Sequence, residues 1–123
     1  MIKYKEITEK IIKAFYEVYN DLGHGFLESV YENALYILLL EYGLQVERQK
    51  EIAVYFRGKI VGFFKTDLVV ENKVIIELKA VKCILPEHEA QLLNYLKATD
   101  IEVGLLLNFG KKPEFIRRIF DNK

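Results

Sequence analysis

Val74-Ile75-Ile76-Glu77-Leu78-Lys79-Ala80-Val81 reads as a β-strand of core composition with two charges set into it. Aliphatic and β-branched residues suit a pleated, buried surface, and a strand this apolar belongs near the centre of a sheet. Glu77 and Lys79 stand two apart, so their side chains leave the same face. Burying a charge there is costly unless it is paired or bound to a metal.

The preceding residues fold back onto this strand. Glu71-Asn72-Lys73 turns the chain, and Ile60 to Val70 reads as the partner strand. With Asn72 at the centre of the turn, Val70 faces Val74, Val69 faces Ile75 and Asp67 faces Glu77. Two carboxylates placed directly opposite, with Cβ atoms about 5 Å apart, repel each other. A divalent cation between them removes that penalty, and Mg²⁺ is commonly held by one or two carboxylates, water and phosphate. Lys79 lies one step further along the same face, within reach of a metal-bound water or a scissile phosphate. A salt-bridged patch on an exposed sheet face, with Lys79 neutralising one acid, fits the same three residues, and the register alone does not separate the two readings.

Further out, Ile7, Ile11, Ile12, Phe15, Val18, Tyr19 and Leu22 form a helical stripe that stops at Gly23. A second helix runs from about Leu27 to Tyr42, with Val30, Tyr31, Ala34, Leu35, Leu38 and Leu39 on its buried side and Gly43 at its end. The two form an antiparallel pair. Ile52, Val54 and Phe56 alternate with Ala53, Tyr55 and Arg57 as a first strand, and Arg57-Gly58-Lys59 turns it into the second. Pro86 opens a third helix that reaches about Thr99 and packs through Leu92, Leu93 and Leu96. Val103 to Asn108 is a short apolar strand. The tail from Pro113 to Phe120 reads as a strand, with a helix as the alternative. The chain is therefore expected to be α/β, a mixed central sheet flanked by helices in the order α-α-β-β-β-α-β, then the ambiguous tail.

A length of 123 residues fits a single domain over 1–123, and 51% hydrophobic content argues against disorder. No apolar run approaches the roughly 18 residues of a membrane span, and the N-terminus lacks a signal-like apolar region. A cytoplasmic protein without a membrane partner is expected. Cys83 is the sole cysteine, and His24 and His88 have no partners at zinc-ligand spacing. The net charge is zero, so no global field draws in a polyanion.

Glu28 falls in the first turn of the second helix, where it either complements the helix dipole or adds an acid to the same site. Gln91 and Tyr95 share a face of the third helix, as side chains four apart do, and Gln91 borders the core.

Gly25-Phe26-Leu27-Glu28-Ser29-Val30-Tyr31 resembles the motif that names the GxxExxY protein family, a branch of the PD-(D/E)XK nuclease superfamily. The resemblance continues through Thr66 to Val70, Val74 to Val81, His88-Glu89-Ala90-Gln91 to Leu96, and Gly104 to Gly110, and so covers nearly the whole chain. It implies a restriction-endonuclease-like fold and phosphodiester hydrolysis of nucleic acid, DNA ahead of RNA. Asp67 would be the first motif acid, and Glu77 and Lys79 the (D/E)xK pair. Glu28 would be the glutamate of the N-terminal helix. Asp67, Glu77, the Leu78 carbonyl and Glu28 would hold Mg²⁺ or Mn²⁺. Gln91 and Tyr95 resemble the Q-x-x-x-Y element of recombination exonucleases, in which the glutamine lies beside the catalytic lysine; Tyr95 would support Gln91 or pack under the site. Thr66 departs from the proline in the superfamily's name. A homodimer is common in such nucleases, and a non-catalytic nucleic-acid- or protein-binding module that keeps the fold is the alternative.

Overall fold

In the computed structural model, which describes residues 2–120, the chain builds one five-stranded sheet and three helices. The elements are α1 (Lys5–Leu22), α2 (Glu28–Glu41), β1 (Val46–Phe56), β2 (Lys59–Val70), β3 (Val74–Lys79), α3 (Pro86–Ala98), β4 (Val103–Phe109) and β5 (Pro113–Ile119). Strands lie in chain order across the sheet, and β3 is central. Only β3 and β4 run parallel, joined by α3, as a parallel pair needs a crossover; the other neighbours are antiparallel hairpins.

The sheet has a core on each face. Leu68, Val70, Ile76, Leu78, Leu105 and Leu107 pack against Ile11, Phe15, Tyr31 and Leu35 of α1 and α2. Val69, Ile75 and Leu106 pack against Leu92 and Leu96 of α3. Each fully buried aliphatic or aromatic side chain contributes about 1.5–3 kcal/mol. α3 sits so close to the sheet that a Cβ on Gly104 would lie 2.7 Å from a Leu92 methyl carbon. β4 is buried along its whole length, as its unbroken apolar run requires.

The mixed α/β architecture matches the expectation, and the tail forms strand β5, paired with β4 from Val103↔Ile119 to Phe109↔Pro113. Four details differ. β1 begins at Val46, well before Ile52, because Val46, Glu47 and Arg48 pair with the buried end of β2. The charged side chains of Glu47 and Arg48 hid this edge strand, where charges are tolerated. β3 ends at Lys79 and not at Val81. Leu93 is 36% exposed, because the α3 surface that meets the sheet is carried by Leu92 and Leu96. In α2, Val30, Ala34 and Leu38 are only half-buried, whereas Glu32 is buried. Among the described residues, no helix is long and apolar enough to cross a membrane.

Candidate active site

The hairpin register holds as far as Leu68↔Ile76 and then stops. Beyond that pair β3 continues alongside β4 to Lys79↔Asn108, while β2 continues alongside β1. The sheet forks at the next position, between Asp67 and Glu77. Instead of a backbone ladder, the two carboxylates close the fork reciprocally. The Asp67 N–H donates to Glu77 Oε2 at 2.8 Å, and the Leu78 N–H donates to Asp67 Oδ2 at 2.7 Å. Acids at these positions satisfy backbone donors that the diverging strands leave behind.

Glu77 is only 5% exposed. Burial, followed by the charge of Asp67, pushes its carboxyl pKa up to about 8. The Asp67 pKa is raised chiefly by burial, opposed by the Leu78 N–H and by Lys79. A patch on an exposed sheet face does not describe this pair. Lys79 is half-buried, and its charge lowers the pKa values of Glu28, Asp67 and Glu77 alike.

Because the strands part here, groups from both sides of the sheet reach one gap. Glu28 arrives from the first turn of α2. Desolvation is the largest cause of its raised pKa, ahead of Lys79, which lowers it, Asp67, which raises it, and His88 of α3, which lowers it. Its placement depends on the loop before it. Gly25 has φ 110°, a conformation that L side chains rarely adopt. The Tyr31 hydroxyl donates to the Gly23 carbonyl at 2.6 Å and accepts from the Phe26 N–H at 3.2 Å, while its ring stacks on Phe109 at 4.3 Å. The glycine and the tyrosine thus fasten the turn that presents the glutamate. Tyr31→Phe keeps the stacked ring and strips both bonds, so thermal melting should show a loss of about 1–3 kcal/mol.

The far end of the site is braced by Asn108, which is fully buried. Its Oδ1 accepts from the Val81 N–H and its Nδ2 donates to the Val81 carbonyl, both at 3.0 Å, fixing the chain just after Lys79. From α3, the Gln91 side chain hydrogen-bonds Tyr95, whose pKa is raised by burial and then by the charges of Glu77 and Asp67. The Tyr95 ring lies flat on Phe64 of β2, with centroids 3.9 Å apart and planes 3° from parallel. His88 serves its own helix, with Nδ1 accepting from the Leu85 N–H at 3.0 Å.

Two residues at the site escaped the sequence reading. Glu32 accepts from Gln49 Nε2 at 2.8 Å and from Arg48 Nη2 at 3.1 Å, and its charge raises the pKa of Asp67. It lies one turn beyond Glu28 on the same helix face, which was the available signal. Gln49 takes φ 50° opposite the fork and also bonds Asp67; nothing in its sequence context marks it.

The donor set suits a hard divalent cation. Two carboxylates of like charge meet in a desolvated fork, and the two backbone bonds occupy Oε2 of Glu77 and Oδ2 of Asp67. Among the described residues, no three acidic, histidine or cysteine side chains form a ready-made metal cage. A cation here would complete its shell with the Leu78 carbonyl, water and substrate oxygens, a division typical of Mg²⁺.

The sequence profile of the PD-(D/E)XK nuclease superfamily matches residues 5–119. No curated protein matches the sequence. Among solved structures, the crystal structure of SSO0001 is similar over 95% of this chain, with 19% identity and a TM-score of 0.60. The chain spans 58% of that protein's length. An alkaline exonuclease from Laribacter hongkongensis, LHK-Exo, is similar over 99% of this chain and 73% of its own, with 12% identity and a TM-score of 0.56. At these identities the likeness is one of fold.

Proposed function

The chain belongs to the PD-(D/E)XK nuclease superfamily, and from that premise we propose that it is a GxxExxY-type nuclease that hydrolyses phosphodiester bonds, DNA ahead of RNA, with Mg²⁺ or Mn²⁺ at Asp67 and Glu77. The observation that carries this reading is the forked hairpin, which sets buried Glu77 against half-buried Asp67 beside Lys79. Asp67, Glu77 and the Leu78 carbonyl would hold the cation, with Glu28 reaching it directly or through water. A cation bound there supplies Lewis acidity toward a phosphate oxygen and lowers the pKa of a water molecule.

The chain's own groups do the rest. Lys79 holds a fixed positive charge where the phosphate gains negative charge in the transition state. Asp67 and Glu77 keep their geometry because each is tied to the backbone of the opposite strand. Gln91 is a positioning residue, acting through the Tyr95 hydroxyl that it bonds. Tyr95 in turn is braced by Phe64.

The test pairs metal binding with cleavage. Mn²⁺ at about a hundredfold over its dissociation constant should stabilise the protein by about 2.7 kcal/mol, and Asp67→Asn should abolish that shift. The protein with Mn²⁺ is then incubated with single-stranded, duplex, flapped and branched DNA and with RNA. Metal-dependent cleavage lost in Asp67→Asn supports the proposal. Absence of both the melting shift and cleavage would sink it and leave a binding module.

A further inference from the structure

The β1–β2 hairpin extends past the fork and carries exposed rings. Tyr55 is 63% exposed and Phe56 62%. Val54, Tyr55, Phe56 and Phe64 of the hairpin line one wall of a groove of about 820 Å³ whose other wall is Asn94, Tyr95, Lys97 and Ala98 of α3. The volume falls within the roughly 300–1,000 Å³ of small-ligand pockets. Tyr95 belongs both to the groove and to the acidic site, since its ring stacks on Phe64 while its hydroxyl senses Glu77 and Asp67. Tyr95 is therefore the residue that joins the groove to the acidic site.

Charge indicates what enters it. The whole chain is neutral, yet the hairpin tip from 52 to 64 carries Arg57 and Lys59 and no acid, while Lys50 is ion-paired with Glu47 and Lys65 lies across from Glu51. Arg57 lies over the Phe56 ring, 5.4 Å from its centroid. Flat rings flanked by cations bind unpaired bases, each stack contributing about 1–3 kcal/mol without regard to base identity. A paired duplex hides its base faces and would leave these rings in water. A second copy of the chain fits less well, because a symmetric contact through this hairpin would bring Arg57 and Lys59 toward their own counterparts.

We infer that the groove between the β1–β2 hairpin and α3 binds the unpaired bases of a single-stranded nucleic acid, with Tyr55 and Phe56 stacking on them and Lys97 and the hairpin cations on the phosphates. Resting on the nuclease reading of the adjoining site, this makes a single strand, or the unpaired end of a duplex, the substrate class.

Fluorescence anisotropy in EDTA tests the inference apart from catalysis, with labelled oligothymidylate and oligouridylate of about 12 nucleotides and a blunt duplex of the same length. Both single strands should bind at least about tenfold tighter than the duplex. Tyr55→Ala and Phe56→Ala, at exposed positions that spare the fold, should each weaken single-strand binding by about fivefold or more. Lys59→Ala should lower the salt dependence of binding, by about 0.7 in log–log slope for one phosphate contact. Equal affinity for duplex and single strand, or parental affinity in both alanine variants, overturns the inference. It is also overturned if those variants dissolve a dimer, seen by sedimentation, while nucleic-acid binding persists. Cleavage with Mn²⁺ that ignores Tyr55→Ala and Phe56→Ala leaves the nuclease and removes the groove; tight single-strand binding without cleavage does the reverse.

Discussion

Glu77→Gln should abolish cleavage and, in the same protein without metal, raise stability at alkaline pH. The two effects share one cause. In the fold, burial and Asp67 push the Glu77 pKa up to about 8, whereas the unfolded chain restores an ordinary carboxylate near 4.5. Between those values the native state binds more protons than the unfolded state, so stability falls as pH rises. It is greatest below the unfolded pKa and fully lost only above about 8. Deep burial makes the loss on the order of a few kcal/mol. An amide keeps the carbonyl oxygen that accepts the Asp67 N–H and offers its NH₂ to the neighbouring carboxylate, so it mimics the protonated acid at every pH. Melting in EDTA at about pH 9 should therefore show the variant higher by about 5 °C or more. A parent protein whose EDTA stability is flat from about pH 5 to 9 would show that Glu77 is not desolvated as described. The same protonation sets metal affinity, because a cation must displace that proton. Apparent Mn²⁺ affinity should climb by up to tenfold per pH unit below the Glu77 pKa, then level off.

Lys79→Ala should lower kcat by about 10² to 10³-fold with little change in KM, as expected for a charge that acts mainly on the transition state. Melting should change little, because Lys79 is half-buried at the end of its strand. A second signature belongs to the same change. Lys79 lowers the pKa values of Glu28, Asp67 and Glu77, so its removal should move the rising limb of the pH–rate profile upward. Lys79→Arg should restore the pH profile better than the rate, since the guanidinium fork cannot reproduce a compact ammonium. Cleavage at the parental rate in Lys79→Ala would assign the activity to a contaminant.

The central strand was readable because its signal is local. Six aliphatic residues around Glu77 and Lys79 place the strand in the core, and a turn centred on Asn72 places Asp67 near Glu77; both follow from a period of two and a short loop. The superfamily was readable because ordered motifs run along the whole chain, and the profile match over residues 5–119 agrees. The start of β1 was not readable, since Glu47-Arg48-Gln49 looks like a loop until β2 supplies its ladder. Nor was Glu32, whose burial exists only because Arg48 and Gln49 arrive from β1 to bond it.

The sequence by itself thus picked out two acids and a lysine, with Glu77 and Lys79 on one face of a strand by its period of two and Asp67 across the hairpin from Glu77. Tertiary structure alone decided that β2 and β3 part at Asp67 and Glu77, because β3 follows β4 while β2 follows β1. That parting turns an expected cross-strand pair into a desolvated fork whose acids replace the missing ladder. It also admits Glu28 and Glu32 from one side of the sheet and Tyr95 from the other. Periodicity is local and can be read along a chain; where two strands diverge depends on partners distant in sequence, and only the folded sheet contains them together.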